Sequence, residues 1–191
     1  MLLTLDQSGD ARQANFIDER GQLLYKTDTP WKFGHRTTTI VKAPSNVPGM
    51  SGGSVPVEIV AEIEWGMIHH RFRFAGQELE AGNFIPSRGK RVFNGPDGRE
   101  YEWKMCDNLT SCELRTTQDK HTIARSHRAH FHFFSDNERP KLEIFPEGCH
   151  MLDAIVMTFV FVDHLRREKK QSQQSSAANS GAAAGASAGA C

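Results

Sequence analysis

The residues whose types could do chemistry fall into a few short clusters. His130-Phe131-His132 would project two imidazoles from one face of a strand, with His127 and His121 close by in sequence. Imidazoles on a common face are a familiar start for a zinc or copper site. The competing reading sends Ala129, Phe131 and Phe133 into a core and leaves the histidines in water, and no acidic third ligand follows at a recognisable spacing. His127, His130 and His132 therefore define the metal-binding or enzymatic alternative, and no other metal site, cofactor or catalytic set is expected. Pro86-Ser87-Arg88-Gly89-Lys90-Arg91 concentrates three cations, Arg88, Lys90 and Arg91, in a loop flank. Such a cradle suits a phosphoinositide or other anionic headgroup, each cation near an anionic membrane contributing ~1 kcal/mol. Its plain alternative is a solvated loop with ordinary ion pairs.

Other candidates have less behind them. Gly49-Met50-Ser51-Gly52-Gly53 is similar to the G-x-S-G-G loop of serine proteases, yet in that chain order the histidine and aspartate come far upstream of the serine, and little chain precedes Ser51. The stretch also lacks the lysine of a phosphate-binding loop, so Pro44 to Pro56 reads as a loop between strands. Cys106 and Cys112 have no base assigned to them and are expected to be unreactive thiols. Asp153 stands in an apolar segment, where a carboxylate needs either a partner or the N–H groups of a helix's first turn.

Composition limits what these clusters can serve. The 23 basic and 23 acidic residues among 191 cancel, so no basic face is announced for nucleic acid. The start, Met1-Leu2-Leu3-Thr4-Leu5-Asp6, lacks the basic and apolar regions of a secretory leader. With cysteines at Cys106, Cys112, Cys149 and Cys191 only, an intracellular, cytoplasmic or nuclear setting is expected, at most peripheral to membranes. The sequon Asn108-Leu109-Thr110 then reads as a chance match, and Cys191, as the last residue, does not form a prenylation box. From Gln171 to Cys191 no charged, aromatic or branched apolar residue occurs. Such a stretch cannot offset chain entropy of ~1–2 kcal/mol per residue by burial and is expected to be a disordered tail, which leaves one domain over residues 1–170.

Most of that domain has the alternation of strands. Val57, Ile59, Ala61, Ile63 and Trp65 share one face and Glu58, Glu62 and Glu64 the other; after Gly66, Ile68, His70, Phe72 and Phe74 alternate with His69, Arg71 and Arg73. An even-length turn puts the two apolar sets on one face and Glu62 and Glu64 opposite the basic set. Asn94-Gly95-Pro96-Asp97-Gly98 announces a second hairpin, with Tyr101, Trp103 and Met105 facing a core. Shorter strands are expected at Leu2–Leu5, Asn15–Ile17, Leu23–Thr27, Thr37–Val41, Asn83–Ile85, Cys112–Arg115, Thr122–Ser126, Ala129–Phe134 and Lys141–Ile144. The set describes a barrel or a sandwich. Met151 to Val162 breaks the pattern: it is apolar on nearly every side without a turn, which favours a helix over about 150–168, and at 1.5 Å per residue it falls short of a ~30 Å hydrocarbon core. A helix apolar all round belongs inside something.

A many-stranded antiparallel body with one wholly apolar C-terminal helix resembles the tubby C-terminal-like barrel. Gly95-Pro96-Asp97-Gly98-Arg99-Glu100-Tyr101-Glu102-Trp103-Lys104, Leu142-Glu143-Ile144 and Leu152 to Val160, with Ala61-Glu62-Ile63-Glu64-Trp65 upstream, are similar to a domain family of unknown function, mainly from basidiomycete fungi, grouped with the tubby-like and LURP-one-like barrels. The resemblance spans about Leu2 to Arg167. It implies a mainly β fold, a roughly twelve-stranded antiparallel barrel around a buried hydrophobic C-terminal helix, and a fungal source, and it carries no catalytic residues. The expected function is a non-enzymatic module that binds an anionic lipid headgroup or a protein partner.

Overall fold

The structure, a computed structural model, describes residues 1–6, 10–30, 36–44, 58–66, 69–86, 90–106, 109–127 and 139–184, with side chains to Ser176. Its strands are β1 (Leu2–Leu5), β2 (Asn15–Ile17), β3 (Leu23–Asp28), β4 (Arg36–Lys42), β5 (Glu58–Trp65), β6 (Arg71–Phe74), β7 (Gln77–Glu80), β8 (Arg91–Asn94), β9 (Glu100–Met105), β10 (Cys112–Thr116), β11 (Thr122–His127) and β12 (Lys141–Ile144). One helical turn, α1 (Ala81–Phe84), separates β7 from β8, and the long helix α2 (Leu152–Ala184) follows a 3-10 turn at Pro146–Met151. The strands form one sheet in the order β7-β6-β5-β4-β3-β2-β1-β12-β11-β10-β9-β8.

The helix explains why that sheet curls. Every residue from Ala154 to Asp163 is buried, which a flat sheet on one side could not achieve. The neighbours come from around the helix. Phe159 meets Phe16 of β2 edge-on at 6.3 Å and Trp103 of β9 at 6.1 Å, while Phe161 stacks on Trp65 of β5 at 5.8 Å and meets Phe72 of β6 at 4.9 Å. The sheet thus wraps the helix as a barrel that does not close, since β7 and β8 are not paired with each other. Phe84 of α1 covers this seam, its ring 5.7 Å from Phe72 and 5.6 Å from Phe93. By length and composition the helical stretch Pro146–Ser176 is apolar enough to cross a membrane, but 72% of its apolar window is buried inside the protein.

Two polar groups fit inside because each finds partners. Thr158 Oγ1 accepts from the Trp103 indole at 3.0 Å and donates to the Ala154 carbonyl at 2.7 Å. Asp163, 4% exposed, accepts from Arg166 at 2.5 Å and from Arg167 at 2.6 Å, and Arg166 also donates to the Leu109 carbonyl at 2.8 Å. A buried carboxylate paired twice with guanidinium groups escapes the penalty of an isolated charge.

The local expectations fare unevenly. The β5–β6 register opposes Ala61 to Phe74, Glu62 to Arg73 and Ile63 to Phe72, as the alternation requires, and Arg73 donates to Glu62 at 2.7 Å. β8 and β9 pair across the Gly95–Gly98 turn, with Tyr101 and Trp103 buried, Met105 half-buried against the core, and Gly98 at φ +76°. Ile59, by contrast, is 59% exposed. Ala61 opposes Ile40 while Ile59 opposes the next residue, Val41, leaving Val60 as an extra residue; this bulge turns the start of β5 over and sends Ile59 outward. Asn83 to Ile85, expected as a strand, is instead the end of α1 and its extended exit. β7 went unexpected because Gln77-Glu78-Leu79-Glu80 has only one apolar residue. Val57, Ile68, the Pro44–Pro56 loop beyond Pro44, and the strand Ala129–Phe134 lie outside the described residues. The helix continues past 168 to Ala184, and Gln171 to Ser176 are exposed on it. Extending a nucleated helix fixes one residue per added hydrogen bond, so alanine and glutamine can prolong it without burial.

Candidate functional site

Two members of the basic cluster, Lys90 and Arg91, lie at the seam of the sheet. Arg91 opens the edge strand β8, opposite Trp103 of β9, and is half-buried; burial holds its guanidinium below the usual arginine range. Lys90 immediately precedes it and is exposed, with no ion pair or hydrogen bond among the described residues. Arg88 lies outside the described residues.

Elsewhere on the outer surface, many of the cations are tied down across strands. Arg73 is bound to Glu62, Arg71 lies 3.6 Å from Glu78, Arg115 and Lys120 share Glu102 at 3.4 and 3.1 Å, and Arg125 meets Glu113 at 2.8 Å. His127 belongs to the same pattern: its Nε2 lies 2.9 Å from Glu143 across β11–β12, with the imidazole 43% exposed. This is the solvated outer-face position of the plain reading. His130 and His132 lie outside the described residues, and among the described residues no three histidine, cysteine or acidic side chains are placed to hold a metal ion. The His121 Nε2 pairs instead with Glu147 at 3.7 Å.

Asp153 satisfies both sequence explanations at once. It lies in the first turn of α2, and it accepts from Tyr25 Oη at 2.5 Å and from Lys42 Nζ at 3.1 Å. Burial and the neighbouring carboxylate push the Tyr25 phenol far above its ordinary range. The group stands at the end of the barrel where β5 bulges, beside a cleft of about 350 Å³ lined by Glu58, Ile59, Ala61, Arg73, Phe74 and Asp153 among others. Sequence alone flagged Asp153 but not its partners, because Tyr25 and Lys42 are distant in the chain.

The string Gly95 to Lys104 is explained by packing. Asp97 accepts from Tyr101 Oη at 2.8 Å, from the Arg99 N–H at 3.2 Å and from His150 Nε2 at 3.3 Å. Burial acts to raise its carboxyl, but these donors outweigh it and hold Asp97 below the usual range. Burial and the same bond push the Tyr101 phenol up to about 12. A Cβ on Gly95 would stand 2.6 Å from the Tyr101 ring, so the turn needs glycine there. Cys112 is buried, its Sγ 3.2 Å from Ser126 Oγ, and burial pushes its thiol up to about 12, far from a nucleophile's range. Cys106 accepts from Ser111 at 2.9 Å. Ser51 lies outside the described residues.

The wrapped-helix architecture is similar to that of an X-ray structure of a protein from Arabidopsis thaliana, with a TM-score of 0.50 and 14% identity over 86% of this chain and 90% of that one. At this identity the likeness concerns the fold. No curated protein matches the chain. A match over residues 9–168, which takes in every strand but β1 and the whole buried part of α2, shows that the chain belongs to a family of unknown function, DUF6593.

Proposed function

We propose that the protein is a non-enzymatic, intracellular binding module of the fungal, tubby-like kind, and that it engages anionic lipid headgroups at membrane surfaces through Lys90 and Arg91 at the open seam, with Arg88 beside them in sequence. The observation that carries this reading is Lys90: an exposed ammonium without a partner among the described residues, next to a half-buried guanidinium, on a surface where many other cations are neutralised across strands. Each such cation is worth ~1 kcal/mol near an anionic leaflet, so two or three give weak, salt-sensitive adhesion that concentrates a protein of zero net charge at a membrane. Co-sedimentation with vesicles containing phosphoinositide, against neutral vesicles, tests it; binding that the Arg88→Ala/Lys90→Ala/Arg91→Ala variant loses supports the reading.

The cleft beside Asp153 favours a second reading, a protein partner. Ile59, exposed by the bulge, and Phe74 give it an apolar wall, while Glu58, Arg73 and Asp153 supply charges of both signs. A partner held there would be released by Ile59→Asp and left untouched by changes at Lys90.

A further inference from the structure

The end of the barrel opposite Asp153 is closed around one indole. Trp65, the last residue of β5, donates its Nε1–H to Thr38 Oγ1 at 2.7 Å, and Phe161 of α2 stacks beneath it. Two imidazoles complete the packing. His164 of α2 meets the Trp65 ring edge-on at 4.3 Å, and His70, on the approach to β6, meets Trp65 at 5.5 Å and Phe161 at 5.6 Å. The Arg12 guanidinium lies 5.8 Å from the centre of the same indole.

The charges facing this cluster leave little to offset two further cations. On the β1–β2 connection, Asp10 is taken by Arg12 at 2.9 Å. Ahead of β6, His69 is taken by Glu80 at 2.8 Å. On α2, Glu168 lies 3.2 Å from His164 Nε2 but is 57% exposed, and Asp163 is held by Arg166 and Arg167. His164 is only 12% exposed, and His70 Nδ1 is buried with no hydrogen-bond partner, so a proton added there has nothing to donate to. Protonating both imidazoles would gather three cations around one ring.

We propose that His70 and His164 form an acid-sensitive latch, which holds the exit of α2 against Trp65 while both imidazoles are neutral and releases it when they gain protons.

The sign follows from where the protons bind. Burial first, then Arg12, push the His164 imidazole down to about 4, with Glu168 and Asp10 opposing; burial, with His69 adding, lowers His70 despite Glu168. Once unfolded, both imidazoles lose these surroundings and return toward the ordinary histidine value of 6.5. The open form therefore binds protons more readily, so the latch is closed above that value and weakens as pH falls toward 4. Release differs from general acid unfolding in two respects: it begins above the range in which ordinary carboxylates titrate, and it starts at one end of the barrel.

Imidazole titration by NMR on the full chain, together with amide-exchange protection of residues 161–167 against residues 154–158 between pH 7 and 4.5, tests the latch. Expected are midpoints for His164 and His70 below 6.5 and an acid-induced loss of protection confined first to 161–167, absent in the His70→Gln/His164→Gln variant. Midpoints at the ordinary value, or the same acid loss in the double variant, would overturn it. The titration uses the unaltered chain, so its result is decisive even if the double variant folds poorly.

Discussion

Single residues here are fixed chiefly by what lies across the sheet from them. Gly95 is the sharpest case: the turn brings its α-carbon against the Tyr101 ring, and Tyr101 in turn is anchored on Asp97. Gly95→Ala is expected to lower stability by about 1–3 kcal/mol through overpacking, read as a lower urea midpoint at unchanged m-value. The turn itself was legible in the sequence, since proline, aspartate and glycine at those spacings leave few alternatives. The purpose of the tyrosine was not, because its carboxylate partner Asp97 also receives His150, which is 53 residues away in the chain. Asp153 shows the same limit. That it required partners followed from its apolar surroundings; that they would be Tyr25 and Lys42 required the sheet to wrap around the helix.

At the scale of elements, helix α2 specifies its own depth in the barrel through two polar devices set among apolar turns. Thr158→Val would leave the Trp103 N–H buried without an acceptor, and a loss of about 1–3 kcal/mol is expected in equilibrium unfolding followed by tryptophan fluorescence. Arg166→Ala removes one of two cations from the buried Asp163 and one donor from the Leu109 carbonyl. Breaking a buried pair in this way costs about 3–5 kcal/mol, and the thermal midpoint should fall by well over that of the threonine variant. Periodicity carried the β5–β6 pairing and the apolar character of α2, because both are local patterns. It failed where one residue changes the count: Val60 bulges, and Ile59 points away from the core that its parity assigns to it. It failed again where a short edge strand has little to bury, as in β7, and where a single helical turn, α1, bridges the seam instead of a strand.

For the whole molecule, the cancelling charges acquire a spatial meaning. Outer-face cations and carboxylates pair across neighbouring strands, which helps to steady the register of an open barrel. Lys90, beside the edge strand β8 where the sheet of the described residues stays open, is among the cations that have no such partner there. The basic cluster was legible as composition; its position at the seam was not, since nothing local tells that β7 and β8 end the sheet. The bound fraction on phosphoinositide-containing vesicles against neutral ones, compared for the unaltered protein and the Lys90→Ala/Arg91→Ala variant at low and high salt, tests the membrane reading most directly. Preferential binding to the anionic vesicles, weakened both by salt and by the substitutions, is the predicted result. Equal binding to both kinds of vesicle, or anionic binding that the double variant keeps in full, would contradict it.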